Sequence, residues 1–190
     1  PLAEAGFENI MGCDPFLKEP IHYDNGLSIE NKPFFDLTGS WDIITFHHSF
    51  EHVPNPLNYL NKVHELLEPG GICIIRIPTV SSFAWKHYGV NWVQLDAPRH
   101  LFLHSYESMQ LLGEKSKLKL FDCVYDSYHL QFTGSEKYLK NIPLRDSNDV
   151  GLLNFAKSKL QQKKYEKKAQ KLNKEGRGDQ AAFFFKKPLN

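Results

Sequence analysis

Apolar residues in this chain come in short unbroken runs, set apart by segments rich in proline, glycine and polar residues. WDIITFH (Trp41 to His47) and GICIIRIP (Gly71 to Pro78) are dense in β-branched and aromatic residues, and they predict two buried strands. Between them Leu57, Leu60, His64 and Leu67 recur at helical spacing. Asn55 and Pro56 suit the N-cap and first turn of that helix, and Pro69-Gly70-Gly71 stops it. Strand, helix and strand with short joints describe a right-handed parallel crossover, the unit of a doubly wound α/β sheet.

The flanking pattern extends this reading. PLAEAGF reads as the last turn of a helix ended by Gly6, followed by a strand through Ile10 and Met11; with no initiating Met, the natural protein is expected to start earlier. Asp14 follows that strand, and the polar stretch after it, with Pro20, Asp24, Asn25, Gly26, Asn31 and Pro33, reads as a weakly structured connection. Thr79 to His104 is expected to be a long aromatic-rich loop of the functional kind. Ser105 caps a helix to about Leu112, and LKLFDCVY (Leu118 to Tyr125) forms a strand. A basic amphipathic helix is expected from about Val150 to Lys174, its apolar stripe made by Leu152, Leu153, Phe155, Ala156 and Leu160, and DQAAFFFKK (Asp179 to Lys187) forms a last strand. One domain over 1–190 with a basic helical insertion at 146–177 is the expected organisation.

Composition narrows the class without naming a function. The 190 residues are 41% hydrophobic and suit one core of moderate size. A net charge of +1 gives no reason to expect nucleic acid as a partner. No apolar run approaches the roughly 20 residues that span a bilayer, so a cytoplasmic protein is expected. Cys13, Cys73 and Cys123 lie far apart in apolar segments and read as reduced thiols.

The chemistry concentrates in FHHSFEHVPNP, Phe46 to Pro56, whose HSFEH matches the H-x-x-E-H spelling of inverted zinc proteases. That site needs a helix to bring both histidines to one face. Here the motif follows a strand and runs into Pro54 and Pro56, which cannot continue a helix. The remaining reading is a polar set just past the carboxyl end of a parallel strand, where open α/β sheets bind ligands.

The run WDIITFHHSFEHVPNPLNYLNKVHELLEPGGICIIRIP resembles the central part of class I S-adenosylmethionine-dependent methyltransferases, with strand four, the acidic-His turn, a helix, the L-x-P-G-G turn and strand five in order. WVQLDAPRHLFLHS and GDQAAFFF are similar to later segments of one bacterial branch of these enzymes. The resemblance implies a Rossmann-like doubly wound, mostly parallel sheet with an antiparallel last strand. It implies methyl transfer from S-adenosylmethionine, by in-line attack on the sulfonium methyl, to an acceptor expected to be a small molecule. Asp14 would hold the cofactor ribose, and His47, His48 and Ser49 would lie near its methionine part. Adenine contacts would come from residues 29–35. The catalytic candidates are His48, His52 and His100 as bases, with Glu51 orienting an imidazole. Trp85, Trp92 and Arg99, with His100, are candidates for an acceptor-binding lid. Some members of the family hold a divalent ion through E-x-x-E-H at this turn; the equivalent positions are His48, Glu51 and His52, where imidazole in place of a carboxylate favours zinc, iron or nickel over magnesium. No metal is expected on balance.

The chain departs from the family at one point. The family's first strand and Gly-rich loop would stand before residue 1, and the only G-x-G, Gly176-Arg177-Gly178, follows a helix and precedes a strand. The 190 residues are therefore expected to bind S-adenosylmethionine weakly or not at all, although the intact protein would bind it. Two alternatives remain: a methyltransferase-like scaffold without activity, or another nucleotide-using Rossmann enzyme such as a sugar-nucleotide dehydrogenase.

Overall fold

A computed structural model describes residues 4–144 and 152–189. Contacts divide the chain into two compact units, residues 1–40 and 41–190. In the first, β1 (Met11–Cys13), β2 (Ile21–His22) and β3 (Ser28–Glu30) form a sheet of order β1-β3-β2, with β1 parallel and β2 antiparallel to β3. The expected connection after Asp14 is thus partly ordered. Tyr23 to Leu27 closes a hairpin whose Gly26 adopts φ 83°, and this local turn brings β2 and β3 into register. Before β1, residues 4–6 form a turn ended by Gly6 at φ 84°, the left-handed geometry expected of a helix-ending glycine.

The second unit is built on a sheet of order β4-β5-β7-β6, from β4 (Trp41–His47), β5 (Leu67–Pro78), β6 (Lys119–Tyr125) and β7 (Gln180–Lys186). β4 and β5 pair in parallel. β7 runs antiparallel to both β5 and β6, so β4, β5 and β6 share one direction and only the last strand opposes them. Alternate residues pack one face: Cys73, Ile75 and Ile77 of β5 stand opposite Phe185, Phe183 and Ala181 of β7, and all six are buried. β4 is less buried than its apolar run suggests. Ile43 is 38% exposed and only Phe46 is buried, because β4 is the edge of this sheet with a partner on one side alone.

Helix α1 (Pro56–Leu66) makes the crossover, with Pro56 in its first turn and Leu60, Val63 and Leu66 buried. Asn55 holds the N-cap position but makes no side-chain cap bond. The helix ends before Pro69, and the L-x-P-G-G turn is a bulge at the start of β5, between the pairs Trp41–Leu67 and Ile43–Ile72. Gly71 permits the bulge, since a Cβ there would stand 2.9 Å from the Glu68 carbonyl.

The expected loop from Thr79 to His104 contains a helix, α2 (Phe83–Tyr88), capped by the Ser82 hydroxyl. α3 (Tyr106–Lys115) begins with a capping box between Ser105 and Ser108. α4 (Leu130–Leu139), which the apolar pattern did not reveal, seats Phe132 against Trp92, Tyr88 and Ala84, and Gly134 lets it approach Val93. α5 (Leu152–Lys174) forms as expected, and among its described residues Ala169 and Leu172 are buried with Tyr165 beside them. Leu160, the one residue of the expected apolar stripe whose side chain is described, is 73% exposed. Residues 145–151, which include the start of the expected insertion at 146, and the side chains of 152–157 lie outside the described residues. No helix among the described residues is long and apolar enough to cross a membrane.

Candidate functional site

In the second unit, polar side chains gather beyond the carboxyl ends of β4, β5 and β6. β4 delivers His47 opposite Arg76 of β5, and the chain then breaks direction at His48, whose φ of 52° is a left-handed conformation that a histidine adopts at a cost. The His48 amide still bonds the Arg76 carbonyl at 2.9 Å, so the ladder holds the turn in place. A single 3-10 turn, Phe50–His52, follows and ends at Val53-Pro54. His48 and His52 therefore share no helix, as the two prolines require.

Arg76 organises one half of this set. Its Nε donates to Asp126 Oδ2 at 2.5 Å, and its Nη1 donates to His48 Nε2 at 2.6 Å. The Gln180 amide completes Asp126 at 2.8 Å. Because guanidinium only donates, His48 Nε2 is an acceptor here and its proton belongs on Nδ1, which lies 3.5 Å from Glu51 Oε1. Partial burial, with the Arg76 charge beside it, pushes the His47 pKa below the usual histidine value.

Glu51 organises the other half. Its side chain is 1% exposed, and neither carboxylate oxygen accepts a hydrogen bond among the described residues. The Glu51 carbonyl receives the amides of Leu101 and Phe102 at 2.9 and 3.2 Å, docking the DAPRH segment against the turn. His100, 6% exposed, is thereby held with Nε2 at 3.9 Å from Glu51 Oε1 and 3.7 Å from Asp96 Oδ2, and its Nδ1 bonds the Gln94 carbonyl at 2.8 Å. His52 bonds the Arg99 carbonyl through Nδ1 at 2.8 Å, and its ring lies 4.9 Å from that of His100. His104 lies deeper, between the rings of Phe50 and Phe102, where burial drops its pKa to about 4.

The structure thus gathers His47, His48, Glu51, His52 and His100, with Ser49 exposed between them. The other lid candidates differ from one another. Arg99 is 74% exposed and pairs with Asp96 at 2.6 Å. Trp85 is half-buried against Trp92. Trp92 is wholly buried and donates its indole N–H to Asp179 at 2.9 Å, so it packs the core and presents no face to an acceptor. Asp14, in the first unit, stands just past the carboxyl end of the parallel strand β1. One of its oxygens accepts the Phe16 amide at 2.9 Å, while the other has no hydrogen bond among the described residues. Sequence reasoning missed Arg76 and Asp126. The available signals were a lone arginine in an otherwise apolar strand and an aspartate directly after one.

Residues 1–121 match the family described as "Methyltransferase domain". No curated protein matches the chain. Among solved structures the chain is similar to a SAM-dependent methyltransferase, possible histamine N-methyltransferase, from Thermotoga maritima, at 14% identity and TM-score 0.58, over 98% of this chain and 75% of that one. It is similar to a SAM-dependent methyltransferase from Archaeoglobus fulgidus at 15% identity and TM-score 0.56, over 98% and 79%. A third similar structure is a mycolic acid cyclopropane synthase complexed with SAH and CTAB, at 14% identity and TM-score 0.56, over 98% and 73%. At such identities the likeness speaks for the fold, a Rossmann-like, mostly parallel α/β sheet.

Proposed function

The chain belongs to the methyltransferase-domain family, and from that premise we propose that it transfers a methyl group from S-adenosylmethionine to a small-molecule acceptor. The observation that carries this reading is the family match through residues 1–121, within which lie both Asp14 at a strand end and the polar turn His47 to Glu51. Asp14 keeps a carboxylate oxygen without a hydrogen bond among the described residues, which suits it to accept ribose hydroxyl protons. His47, His48 and Ser49 are assigned to the methionine part. When bound, S-adenosylmethionine supplies a methyl group that is already electrophilic.

The work left to this chain is alignment and exclusion of water. A base is optional. Where the acceptor carries a proton, Nε2 of His52 and of His100 stand available, since each ring donates Nδ1–H to a carbonyl; His48 Nε2 is held by Arg76. Exposed Arg99 and half-buried Trp85 are the acceptor contacts in this reading.

No glycine-rich loop joins a strand to a helix among these residues, so the reading includes weak cofactor binding, short of the roughly 8 kcal/mol of a micromolar site. Saturation-transfer NMR with S-adenosylmethionine and the 190-residue chain tests both parts. Contact signals from ribose protons, lost in Asp14→Ala, are expected. Absence of any signal at millimolar ligand sinks the cofactor assignment, and micromolar affinity by calorimetry sinks the weak-binding clause. A screen with methyl-labelled cofactor then identifies the acceptor.

A further inference from the structure

Glu51, His52 and His100 bring possible ligand atoms together beside the turn. Glu51 is buried with both carboxylate oxygens lacking donors, an arrangement that costs free energy unless another group compensates it. His52 bonds the Arg99 carbonyl, and His100 the Gln94 carbonyl, each through Nδ1 at 2.8 Å. A carbonyl only accepts, so both Nδ1 atoms carry the hydrogen and both Nε2 atoms present lone pairs. One ligating atom from each of Glu51, His52 and His100 lies within 4.8 Å of the others. Neither the His48 Nδ1–H, 3.5 Å from Glu51 Oε1, nor a protonated His100, whose Nε2 stands 3.9 Å from it, is close enough to make a hydrogen bond and resolve the deficit.

A cation satisfies all three acceptors at once. We propose that Glu51, His52 and His100 form a binding site for a divalent transition ion of the zinc or iron(II) class. Two imidazoles and one carboxylate suit such ions, whereas magnesium prefers an all-oxygen shell. Both imidazoles already have the carbonyl partners that orient metal-binding histidines. The docking of Leu101 and Phe102 on the Glu51 carbonyl fixes His100 relative to Glu51, and the exposed His52 ring closes the separations toward the roughly 3.3 Å implied by ligands about 2.0 Å from zinc. Coordination positions on the His52 side stay open to an oxygen donor. His48 is outside the set, since its Nε2 is taken by Arg76; the site therefore differs from the His48, Glu51 and His52 grouping that spacing suggests. With the ion bound, the nitrogens available as bases become ligands.

This site does not rest on methyl transfer, and its test uses no S-adenosylmethionine. The chain, stripped with chelator, is titrated calorimetrically with zinc chloride and separately with magnesium chloride, and its thermal unfolding is followed in both. One zinc per chain is expected, with a melting midpoint that rises with zinc concentration and does not respond to magnesium. Glu51→Gln, nearly isosteric, and His52→Ala, at an exposed position, each lower zinc affinity roughly tenfold or more, while His48→Ala retains it. Failure to bind stoichiometric zinc, or equal zinc affinity in wild type, Glu51→Gln and His52→Ala, overturns the proposal. Loss of zinc binding in His48→Ala with retention in His52→Ala overturns the ligand assignment.

Discussion

Glu51 and Asp179 are both buried carboxylates, at 1% and 3% exposure, yet their surroundings are opposite. Asp179 accepts the Trp92 indole N–H and a Ser127 bond at the junction of α5 and β7, and burial still raises its pKa to about 6. Glu51 sits on a strained turn at the carboxyl end of the sheet, and its carboxylate accepts nothing among the described residues. A buried acid with its donors in place stabilises a core. A buried acid with none, beside two oriented imidazoles, is arranged for a ligand.

The most severe way to break this comparison is to remove the Asp179 partner. Trp92→Ala leaves a cavity and takes a donor from a buried acid, and about 3–5 kcal/mol of stability is expected to be lost in urea unfolding. A loss below about 1 kcal/mol means that Trp92 is not the anchor of that core.

The next effect is a pH dependence. The Asp179 pKa is raised when folded, so its native state holds the proton more tightly than the unfolded chain does; its contribution to stability is fully present below about pH 4 and is lost as pH rises through about 6. Asp179→Asn keeps an acceptor for Trp92 and removes the titration. Relative to wild type it should gain roughly 3 kcal/mol between pH 4 and pH 7, since one unit is about 1.4 kcal/mol. Parallel pH profiles for the two proteins contradict the assignment.

The smallest effect discriminates most finely. In metal-free protein, Asp179→Leu orphans the Trp92 N–H and should cost about 1–3 kcal/mol, whereas Glu51→Leu orphans no hydrogen-bond donor and should be neutral or stabilising. Unfolding of the two variants side by side reads the difference, and a larger loss at Glu51 means that its carboxylate has a structural role.

The crossover from Trp41 to Pro78 was readable from the chain because its signals are local: dense β-branched runs, a helical period, and Pro and Gly at the joints. The exclusion of a helical zinc motif was readable for the same reason, since Pro54 and Pro56 act on their immediate neighbours. α4 escaped notice because Gly134 and the polar residues Gln131, Thr133 and Ser135 dilute its period; three of those four are buried by Trp92 and its neighbours, not by propensity.

Sequence alone determined the strand-helix-strand crossover from Trp41 to Pro78, the likeness to a methyltransferase family and the polar turn after β4. Only the tertiary structure decided that β7 enters between β5 and β6, that Arg76 takes His48 out of the set of free bases, and that His100 joins Glu51 and His52. Those pairings join residues distant in sequence, through amides docked on a carbonyl and a guanidinium reaching across a sheet. Neither contact leaves a periodic trace along the chain, because each is set by where a loop closes and not by what its neighbours are.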